Sequence, residues 1–558
     1  MAYNNWQGKY GAAKRTFWKS ANPVQRPNEV VCKVTEDQWS SYQKAAVAFV
    51  RHGTGHGVIE AVAGSGKTET IVSAVQAAKD SGAKRVLFVA FNKSIAEALT
   101  ARIPAHVADV RTCNALGNRG VCNTWGTGLA IEDGDGPYVQ KLVIAAGIPN
   151  DREHASDRQQ ACKLVGFCKQ WLAESPEDIE AAWRRSGYEF TRTPPADVIK
   201  VVAFVLSNMK ARPGLTLAPK QGRMAHGVQR PMVERKCITW DDQVWLPVVN
   251  GWALEQFDVI FVDEAQDLSK ARTELLMRSL APGGRLIAVG DRFQAIYGFG
   301  GADTDSIPNL IERLAATVLP LSISYRCATA IVQEAHQYNP AIEAAPGAAP
   351  GAVDSLDARK LGETADPGTA IISRTNAPLI ALYFSLIRSG KRAIMLGRDF
   401  GRLLTYRIRG WQKKEPGLTG TMLLMRNAEW RADRVAWAEE KNCPAVATRA
   451  HDEADAIEAL AKDVTPLGSE GAVADILERI ERMFSPDDAA GDGKALVTLS
   501  STHKFKGSER GRIFMLAETY RPGESQEETN LAYVAVTRAM RHLTYVTGLK
   551  SLQEEARH

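Results

Sequence analysis

A glycine-rich turn between a short apolar run and a Lys-Thr pair constrains the fold of this chain more than any other feature. Residues 58–68 read Val-Ile-Glu-Ala-Val-Ala-Gly-Ser-Gly-Lys-Thr, which predicts a buried strand, a tight turn and the start of a helix. Gly64 and Gly66 allow backbone N–H groups to close around phosphate oxygens. In such a turn Lys67 reaches the β- and γ-phosphates, and the Thr68 hydroxyl ligates Mg²⁺. The turn is a P-loop, and it predicts a site for a nucleoside triphosphate.

Length and composition set broad limits on the rest of the chain. With 558 residues the chain is too long for one hydrophobic core, and about three or four domains are expected. The net charge of +5 is small for this length, so it permits a nucleic-acid partner without requiring one. Eight cysteines without a CxxC pair are typical of reduced thiols in a cytosolic protein. No stretch is apolar enough to predict a membrane span, and the N-terminus has no apolar signal core.

Short apolar runs alternate with helical segments along most of the chain. Buried parallel strands have this continuous apolar character, and the alternation is the βαβ pattern of a doubly wound sheet. An α/β fold class is therefore predicted. The apolar runs lie at 58–62, 85–91, 257–262 and 286–289 in the first half, and at 370–372, 393–396, 495–499 and 512–516 in the second.

Two segments interrupt the alternation and divide the chain. Between 118 and 235 the strand pattern disappears, and helices are predicted at 158–185 and 196–210. Residues 401–490 are helical and charged, and the Ala/Pro/Gly-rich residues 341–367 predict a surface loop. The predicted organisation is an irregular arm at 1–30, an α/β domain at 31–117 and 236–302, a helical insertion at 118–235, a second α/β domain at 303–400 and 491–558, and a reduced insertion at 401–490.

Two adjacent acids follow the apolar run that begins near residue 257. Asp263 is placed to hold Mg²⁺, directly or through water, at the end of the predicted strand. Glu264 is placed to orient and deprotonate an attacking water. Carboxylates at a strand end are also compatible with simple solvation of the sheet edge, but the preceding P-loop favours the catalytic interpretation.

A third segment carries an amide and two aromatic residues. Gln294 lies just past a predicted strand end, where an amide can sense the γ-phosphate and the attacking water. Tyr297 and Phe299 follow, and aromatic rings there can stack on bases without sequence preference. The alternative for either ring is packing between domains.

Taken together, these segments resemble the UvrD/Rep family of superfamily 1A helicases, with the motifs in the family's order. The resemblance implies two RecA-like P-loop domains, each with an inserted, mainly helical subdomain. It covers most of residues 35–550. The further matching strings lie at 39–43, 91–93, 112–117, 240–242, 321–326, 371–376, 501–509 and 530–539.

The resemblance also implies which residues meet ATP and Mg²⁺. Arg538 would be an arginine finger from the second α/β domain, and Arg326 would reach the γ-phosphate. Gln43 would read adenine, with Gln38 as the alternative, and Tyr325 would stack on the base. The implied catalytic set is Lys67, Glu264, Gln294, Arg326 and Arg538. The implied ATP contacts are Gln43, Ala63, Gly64, Ser65, Gly66, Lys67, Thr68, Glu69, Tyr325, Gly507 and Glu509, and the implied metal ligands are Thr68 and Asp263.

A second implied set contacts DNA, and the chain departs from the family there. Asn114 stands where the family has His, and Gly300 stands where it has Arg. Ser324 replaces an Asn, and the second insertion is short. The implied DNA contacts are Phe91, Asn92, Thr112, Asn114, Tyr297, Phe299, Arg374, Asn376 and His503.

The expected function is ATP-dependent movement on single-stranded DNA, 3′ to 5′ by resemblance, with unwinding of duplex. The alternative is a DNA-stimulated ATPase that translocates but unwinds weakly, as the motor subunit of a nuclease, repair or antiviral complex. An RNA helicase is a further alternative, whereas a non-catalytic binding module conflicts with the presence of every catalytic residue. Expected partners are single-stranded and tailed duplex DNA and a protein of a repair, replication or defence complex. No membrane association is expected, and the expected location is the cytoplasm of a bacterial or phage-infected cell.

Overall fold

A computed structural model describes residues 26–219, 232–298, 301–440, 444–461, 464, 467–469, 471–484 and 496–549. Two six-stranded sheets lie at its centre, and their described strands all pair in parallel. The predicted α/β fold class is confirmed. Most of the predicted N-terminal arm and the aromatic residue Phe299 lie outside the described residues.

The first sheet begins with three strands and the helices that connect them. Alternate residues of these strands face opposite cores, since Val58 packs with one cluster of helices and Ile59 with another. Burial on both faces explains why the strands have continuous apolar sequences. The elements are α1 (Ser41–His52), β1 (Gly57–Ala61), α2 (Lys67–Asp80), β2 (Val86–Ala90), α3 (Lys93–Thr100) and β3 (Asp109–Thr112).

The segment that follows β3, from α4 to β6, is called here the first insertion. The predicted helices are present, but the prediction that strands disappear here is wrong. Three short strands form a separate sheet in the order β4-β6-β5, in which β5 and β6 are antiparallel. The insertion has its own apolar core. Its elements are α4 (Cys113–Trp125), β4 (Ala130–Glu132), α5 (Pro137–Ala145), α6 (Ala155–Trp171), α7 (Pro176–Ser186), α8 (Pro195–Ala211), β5 (Gly214–Pro219) and β6 (Met232–Thr239).

The chain then completes the first sheet, in the strand order β3-β2-β7-β8-β1-β9. The sequence predicts that the second domain begins at residue 303, which would place the last of these strands in that domain. Instead β9 pairs with β1, with Ile59 opposite Leu319, so the first sheet extends to Leu321. The elements are α9 (Asp242–Val249), β7 (Phe257–Val262), α10 (Lys270–Arg278), β8 (Leu280–Gly290), α11 (Ser306–Leu314) and β9 (Thr317–Leu321).

The second sheet has the strand order β12-β17-β16-β13-β15-β14. The predicted surface loop at 341–367 is only partly correct, because β12 within it forms the edge of this sheet against β17. β10 (Ile323–Ser324) and β11 (Glu343–Ala344) pair only with each other, as a separate two-stranded parallel sheet among the described strands. The other elements in this part of the chain are α12 (Thr329–Ala335), β12 (Ala352–Asp357), α13 (Leu361–Thr364), β13 (Ala370–Ser373), α14 (Ala377–Arg388) and β14 (Ala393–Leu396).

The segment between β14 and β15 is called here the second insertion, and its described part is helical as predicted. Unlike the first insertion, it shares a core with a central sheet, because Leu404 and Ile457 pack in the same cluster as Leu499. The two insertions touch through an ion pair between Glu189 and Arg434. The helices are α15 (Arg398–Lys414), α16 (Gly420–Glu440), α17 (Pro444–Ala461) and α18 (Gly471–Met483), followed by β15 (Val497–Ser501), α19 (Thr502–Phe505), β16 (Arg510–Leu516), α20 (Gln526–Val536) and β17 (Ala539–Thr547).

Across the described ranges, no helix has both the length and the apolar character that a membrane span requires.

Candidate nucleotide site between the two sheets

The P-loop follows β1 and begins α2. Gly64 and Gly66 have φ values of 74° and 78°, in the left-handed region that suits glycine, and Gly66 is the residue before the first turn of α2. A Cβ on Gly64 would collide with the Cβ of Arg326, so the loop also packs closely against the second half of the chain. The Ser65 hydroxyl is buried without a hydrogen-bond partner. A buried turn with an unsatisfied hydroxyl fits the cradle of an oxygen-rich group such as a phosphate.

Two acids from the end of β7 face this loop. Glu264 Oε2 lies 3.6 Å from Lys67 Nζ and accepts a hydrogen bond from the Gln266 amide. Glu264 has a φ of 53°, a left-handed conformation that is rare without glycine and that clusters at functional sites. Its backbone N–H donates to Asp263 Oδ1 at 3.0 Å. The β7 strand therefore delivers both carboxylates to the P-loop, as the sequence predicts.

The ionisation of these acids is strongly perturbed. Burial and the neighbouring Glu264 charge raise the pKa of Asp263 above its usual range. Burial acts in the same direction on Glu264, but the Lys67 and Lys506 ammonium groups outweigh it and hold the pKa of Glu264 below its usual range. Burial opposes the charge of Lys67, yet the surrounding carboxylates raise its pKa. Glu264 is therefore an ionised carboxylate beside a charged lysine, as a base for water requires.

Gln294 and two arginines complete the cavity. Gln294 Nε2 donates to Asp291 Oδ2 at 2.7 Å, and Gln294 Oε1 accepts from Arg538 Nη2 at 3.4 Å. Arg538 is 2% exposed, and burial together with the charge of Arg326 lowers its pKa to about 10. Arg326 pairs with Glu509. Both arginines come from the second half of the chain, so they face the P-loop from across the cleft.

The cavity between the sheets has a volume of about 520 Å³. Most of the predicted ATP-contacting and catalytic residues meet in its lining. These are Gly64, Ser65, Gly66, Lys67, Thr68, Glu69, Glu264, Gln294, Tyr325, Arg326, Gly507, Glu509 and Arg538. Gln43, Ala63 and Asp263 are not among the lining residues.

Two predicted ATP contacts, Gln43 and Glu69, already form hydrogen bonds with other groups of the protein. Gln43 Oε1 accepts from Ser40 N at 3.0 Å, and its Nε2 donates to Thr70 Oγ1 at 3.3 Å. Contact of Gln43 with adenine stays a prediction, and it requires the amide to exchange these partners. Glu69 Oε2 accepts from Arg102 Nη2 at 2.8 Å and from Lys33 N at 2.9 Å. The alternative Gln38 lies exposed and caps its own short helix.

Two interdomain residues were not singled out from the sequence. Tyr533 is fully buried, its hydroxyl accepts from the Ala63 N–H of the P-loop at 3.1 Å, and it donates to Asp291 Oδ2 at 3.4 Å. Lys506 forms a buried ion pair with Asp267, at 2.9 Å. Lys506 lies in the segment 501–509 and Tyr533 in the segment 530–539, both of which resemble family motifs. Proximity to predicted site residues in these segments is the sequence signal that could have found them.

The aromatic residues predicted to stack on bases lie at one end of the cavity. Phe91 and Tyr297 stack with ring centroids 6.5 Å apart and an interplanar angle of 9°. Both also line the nucleotide cavity, and Phe91 is 37% exposed. The pair therefore adjoins the predicted catalytic residues rather than lying on a separate surface.

The other predicted DNA contacts have local partners. Asn92 and Thr112 cap α3 and α4 by accepting the N–H of Ile95 and Ala115, respectively. Asn114 Nδ2 donates to Trp240 O at 2.8 Å.

Three more of these predicted contacts lie in the second half of the chain. Arg374 pairs with Glu528, and Asn376 Nδ2 donates to Asp452 Oδ2 at 2.9 Å. Burial and nearby cations lower the pKa of His503 to about 3, so its ring is neutral at physiological pH. Contact of these side chains with DNA stays a prediction.

The residues present also fit a magnesium ion bound with a nucleotide. Thr68 is exposed and lines the cavity, and Asp263 supplies a buried carboxylate at the end of β7, next to Glu264. Hydroxyl and carboxylate oxygens are the ligands that Mg²⁺ prefers, with phosphate oxygens and waters completing the shell. Within the described ranges no group of three or more His, Cys, Asp or Glu side chains forms a metal cage of its own.

Comparison with known proteins matches both halves of the chain. A family model described as "AAA domain" matches residues 43–300, and one described as "UvrD-like helicase C-terminal domain" matches residues 496–546. The chain is 24% identical over 559 residues to ATP-dependent DNA helicase UvrD2 of Mycobacterium tuberculosis, across 86% of this chain and 75% of that protein. It is 29% identical over 120 residues to ATP-dependent DNA helicase PcrA of Staphylococcus aureus, across 20% of this chain and 16% of that protein.

The matched segments contain the P-loop on one side of the cavity and the arginine that follows α20 on the other. The expected motifs occur in the family's order along both sheets. The two family-model matches and the helicase relatives together support a UvrD/Rep-like helicase of superfamily 1A.

Proposed function

We propose that this protein hydrolyses ATP in the cavity between the two sheets and uses the cycle to move 3′ to 5′ along single-stranded DNA and unwind duplex. The observation that carries the proposal is the meeting of Arg538 and Gln294 across the cleft, at 3.4 Å. Because the P-loop and the arginine belong to different sheets, the site is complete only when the cleft is closed. Opening and closing of the cleft can then move the two halves of the protein along a bound strand.

Each cavity residue has a role in hydrolysis under this proposal. Lys67 holds the β- and γ-phosphates, and Glu264 accepts a proton from the attacking water. Gln294 orients that water, while Arg326 and Arg538 stabilise the charge that develops on the γ-phosphate. When bound through Thr68 and Asp263, Mg²⁺ supplies further neutralisation of phosphate charge.

DNA as the track is supported by the aromatic pair and by the relatives. The relatives from Mycobacterium and Staphylococcus are named DNA helicases. Phe91 and Tyr297 offer flat rings beside the catalytic residues, and stacking on such rings tolerates any base. The bacterial origin of these relatives also supports a place of action in the cytoplasm of a bacterial or phage-infected cell.

One observation favours a second candidate, an ATPase that translocates but unwinds weakly alone. The described second insertion consists of α15 to α18 and is packed into the core of the second sheet. A small insertion offers little surface for engaging duplex ahead of the strand. In that case the protein would act as the motor subunit of a repair, replication or defence complex.

Strand displacement on tailed duplexes tests both candidates. Duplexes with a 3′ or a 5′ single-stranded DNA tail are mixed with the protein and ATP, and ATP hydrolysis is followed in parallel. Displacement only from the 3′ tail supports the main proposal. DNA-stimulated hydrolysis without displacement supports the motor-subunit alternative. Displacement from the 5′ tail overturns the polarity, and activity only with RNA tails overturns the choice of DNA.

A further inference from the structure

We propose that Lys506 is a positioning residue that links nucleic-acid contact at the Phe91–Tyr297 pair to the geometry of Gln294 in the ATP site. This inference rests on the proposed function and extends it, because it names a route from the track to the site of hydrolysis. Lys506 lies in the second half of the chain, between α19 and β16, and all the partners described below lie in the first half.

The first contact fixes the ammonium group in the interface. Lys506 Nζ lies 3.0 and 2.9 Å from the two carboxylate oxygens of Asp267, and the side chains are 10% and 3% exposed. Asp267 belongs to the same short turn as Glu264 and Gln266, immediately after β7. A buried ion pair of this kind holds its geometry closely, because separating the charges leaves each without compensation.

The second contact reaches the backbone of the predicted γ-phosphate sensor. Lys506 Nζ donates to the carbonyl oxygen of Gln294 at 2.8 Å. The side chain of the same glutamine bonds Asp291 and Arg538. A displacement of the ammonium therefore changes the position of Gln294 relative to the arginine.

The third contact joins the ammonium to the aromatic pair. Lys506 Nζ lies 4.6 Å from the centroid of the Tyr297 ring, within the range of a cation–π interaction. Phe91 also stacks on that ring, and the Tyr297 hydroxyl donates to the His503 carbonyl oxygen at 3.4 Å. A base that stacks against Phe91 or Tyr297 shifts the ring that lies over Lys506.

One ammonium group thus touches an acid of the catalytic turn, the backbone of Gln294 and the ring of Tyr297. Arginine would not reproduce the arrangement, because its planar fork cannot direct donors to Asp267 and Gln294 O as a compact ammonium does.

The test compares Lys506→Met with Lys504→Met in the full chain. Lys504 is two positions away, is exposed, and pairs with the exposed Asp399 at 3.0 Å. ATP hydrolysis is measured with and without a thymidine oligonucleotide, and the Kd for that oligonucleotide is measured by fluorescence anisotropy. For Lys506→Met we expect the ratio of DNA-stimulated to basal hydrolysis to fall by about tenfold or more. The KM for ATP and the Kd for the oligonucleotide should change by no more than about threefold, and Lys504→Met should match the parent protein.

A second variant separates coupling from simple loss of stability. Lys506→Met with Asp267→Asn removes both buried charges, so it should recover the thermal unfolding midpoint of the parent protein. The stimulation ratio should stay low in this double variant. Recovery of the ratio together with the midpoint would show a structural role and overturn the proposal, as would an unchanged ratio in Lys506→Met. If the parent protein itself shows no DNA stimulation, the proposed function fails, and the result is distinct from a failure of coupling.

Discussion

Arg538 Nη2 and Gln294 Oε1 lie 3.4 Å apart, although Gln294 follows β8 of the first sheet and Arg538 lies between α20 and β17 of the second. Arg538 Nε also donates to Val534 O at 3.0 Å, which anchors the guanidinium to its own helix. The arginine is therefore held at the cavity by the second half of the chain and oriented toward Gln294 in the first half. Its position fits a group that acts on the transition state rather than on nucleotide binding.

Replacement of Arg538 should lower the rate of ATP hydrolysis far more than it weakens the binding of ATP. Arg538→Ala should lower kcat for DNA-stimulated ATP hydrolysis by about 10³-fold or more, with KM for ATP changed only a few-fold. Arg538→Lys should recover little, because an ammonium on a different stem does not reproduce the bidentate geometry. Steady-state kinetics check both, and Arg541→Ala, at an exposed position three residues on, serves as the control. A rise in KM with normal kcat would contradict the assignment.

Glu264→Gln tests the base with almost no change in shape. The amide cannot take a proton from water, so hydrolysis should fall by about 10²- to 10⁴-fold. Binding of a fluorescent ATP analogue should persist, because Lys67 and the P-loop are retained. Glu274→Gln, whose parent residue pairs with Arg313 on the surface, should behave as the parent protein. Substantial turnover by Glu264→Gln would rule out this residue as the base.

Tyr533→Phe tests the contact between the two halves in the absence of nucleotide. The substitution leaves the Ala63 N–H and the Asn339 amide without a hydroxyl partner in a buried interface. We expect the free energy of unfolding to fall by about 1–3 kcal/mol, measured by urea denaturation. Tyr406→Phe is the matched control, because Tyr406 is 72% exposed and loss of its hydroxyl should leave the free energy of unfolding nearly unchanged. Equal stability of the two variants would show that the buried hydroxyl contributes nothing.

The raised pKa of Asp263 predicts how magnesium dependence varies with pH. In the folded protein this carboxyl keeps its proton at pH values where an unfolded chain has lost it. Mg²⁺ needs the deprotonated form, so its apparent affinity should fall by about tenfold per pH unit below the raised pKa. Without Mg²⁺ the same group makes the folded state less stable as the pH rises through that range, because the folded protein binds more protons than the unfolded chain.

Titration of ATPase activity with Mg²⁺ at several pH values, together with thermal unfolding in its absence, checks both effects. Asp263→Asn should abolish the pH dependence of stability that is due to this group. A pH-independent magnesium requirement in the parent protein would contradict the prediction.

The sequence predicts those parts of the site that depend on short, local sequence motifs. The P-loop, Glu264 after β7 and the arginine after α20 each depend on a local strand, turn or helix, and the structure places them around one cavity. The positive φ of Glu264 has no such signal, because a non-glycine residue gives no indication of left-handed backbone. The contact of Lys506 with Asp267 joins residues 239 positions apart, so only the assembled interface reveals it.

The errors in the fold have a similar origin. β4 has three residues, and its pairing of Ala130 with Cys237 spans most of the first insertion, so no periodic pattern marks it. β9 contains Pro320 and lies at the edge of its sheet, where proline is tolerated. Strand order along the chain does not say which sheet receives such a strand, and the boundary at residue 303 was placed too early for that reason.

The position of β9 has a mechanical consequence. Leu321 at its end accepts from Val62 N at 3.0 Å, and a few residues later Tyr325 N donates to Gly64 O at 2.9 Å. The chain therefore leaves the first sheet alongside the P-loop itself. If the second sheet rotates about this connection, the axis of rotation lies beside the P-loop. A small change in spacing there is then magnified in proportion to distance, and it is largest at the ends farthest from the nucleotide.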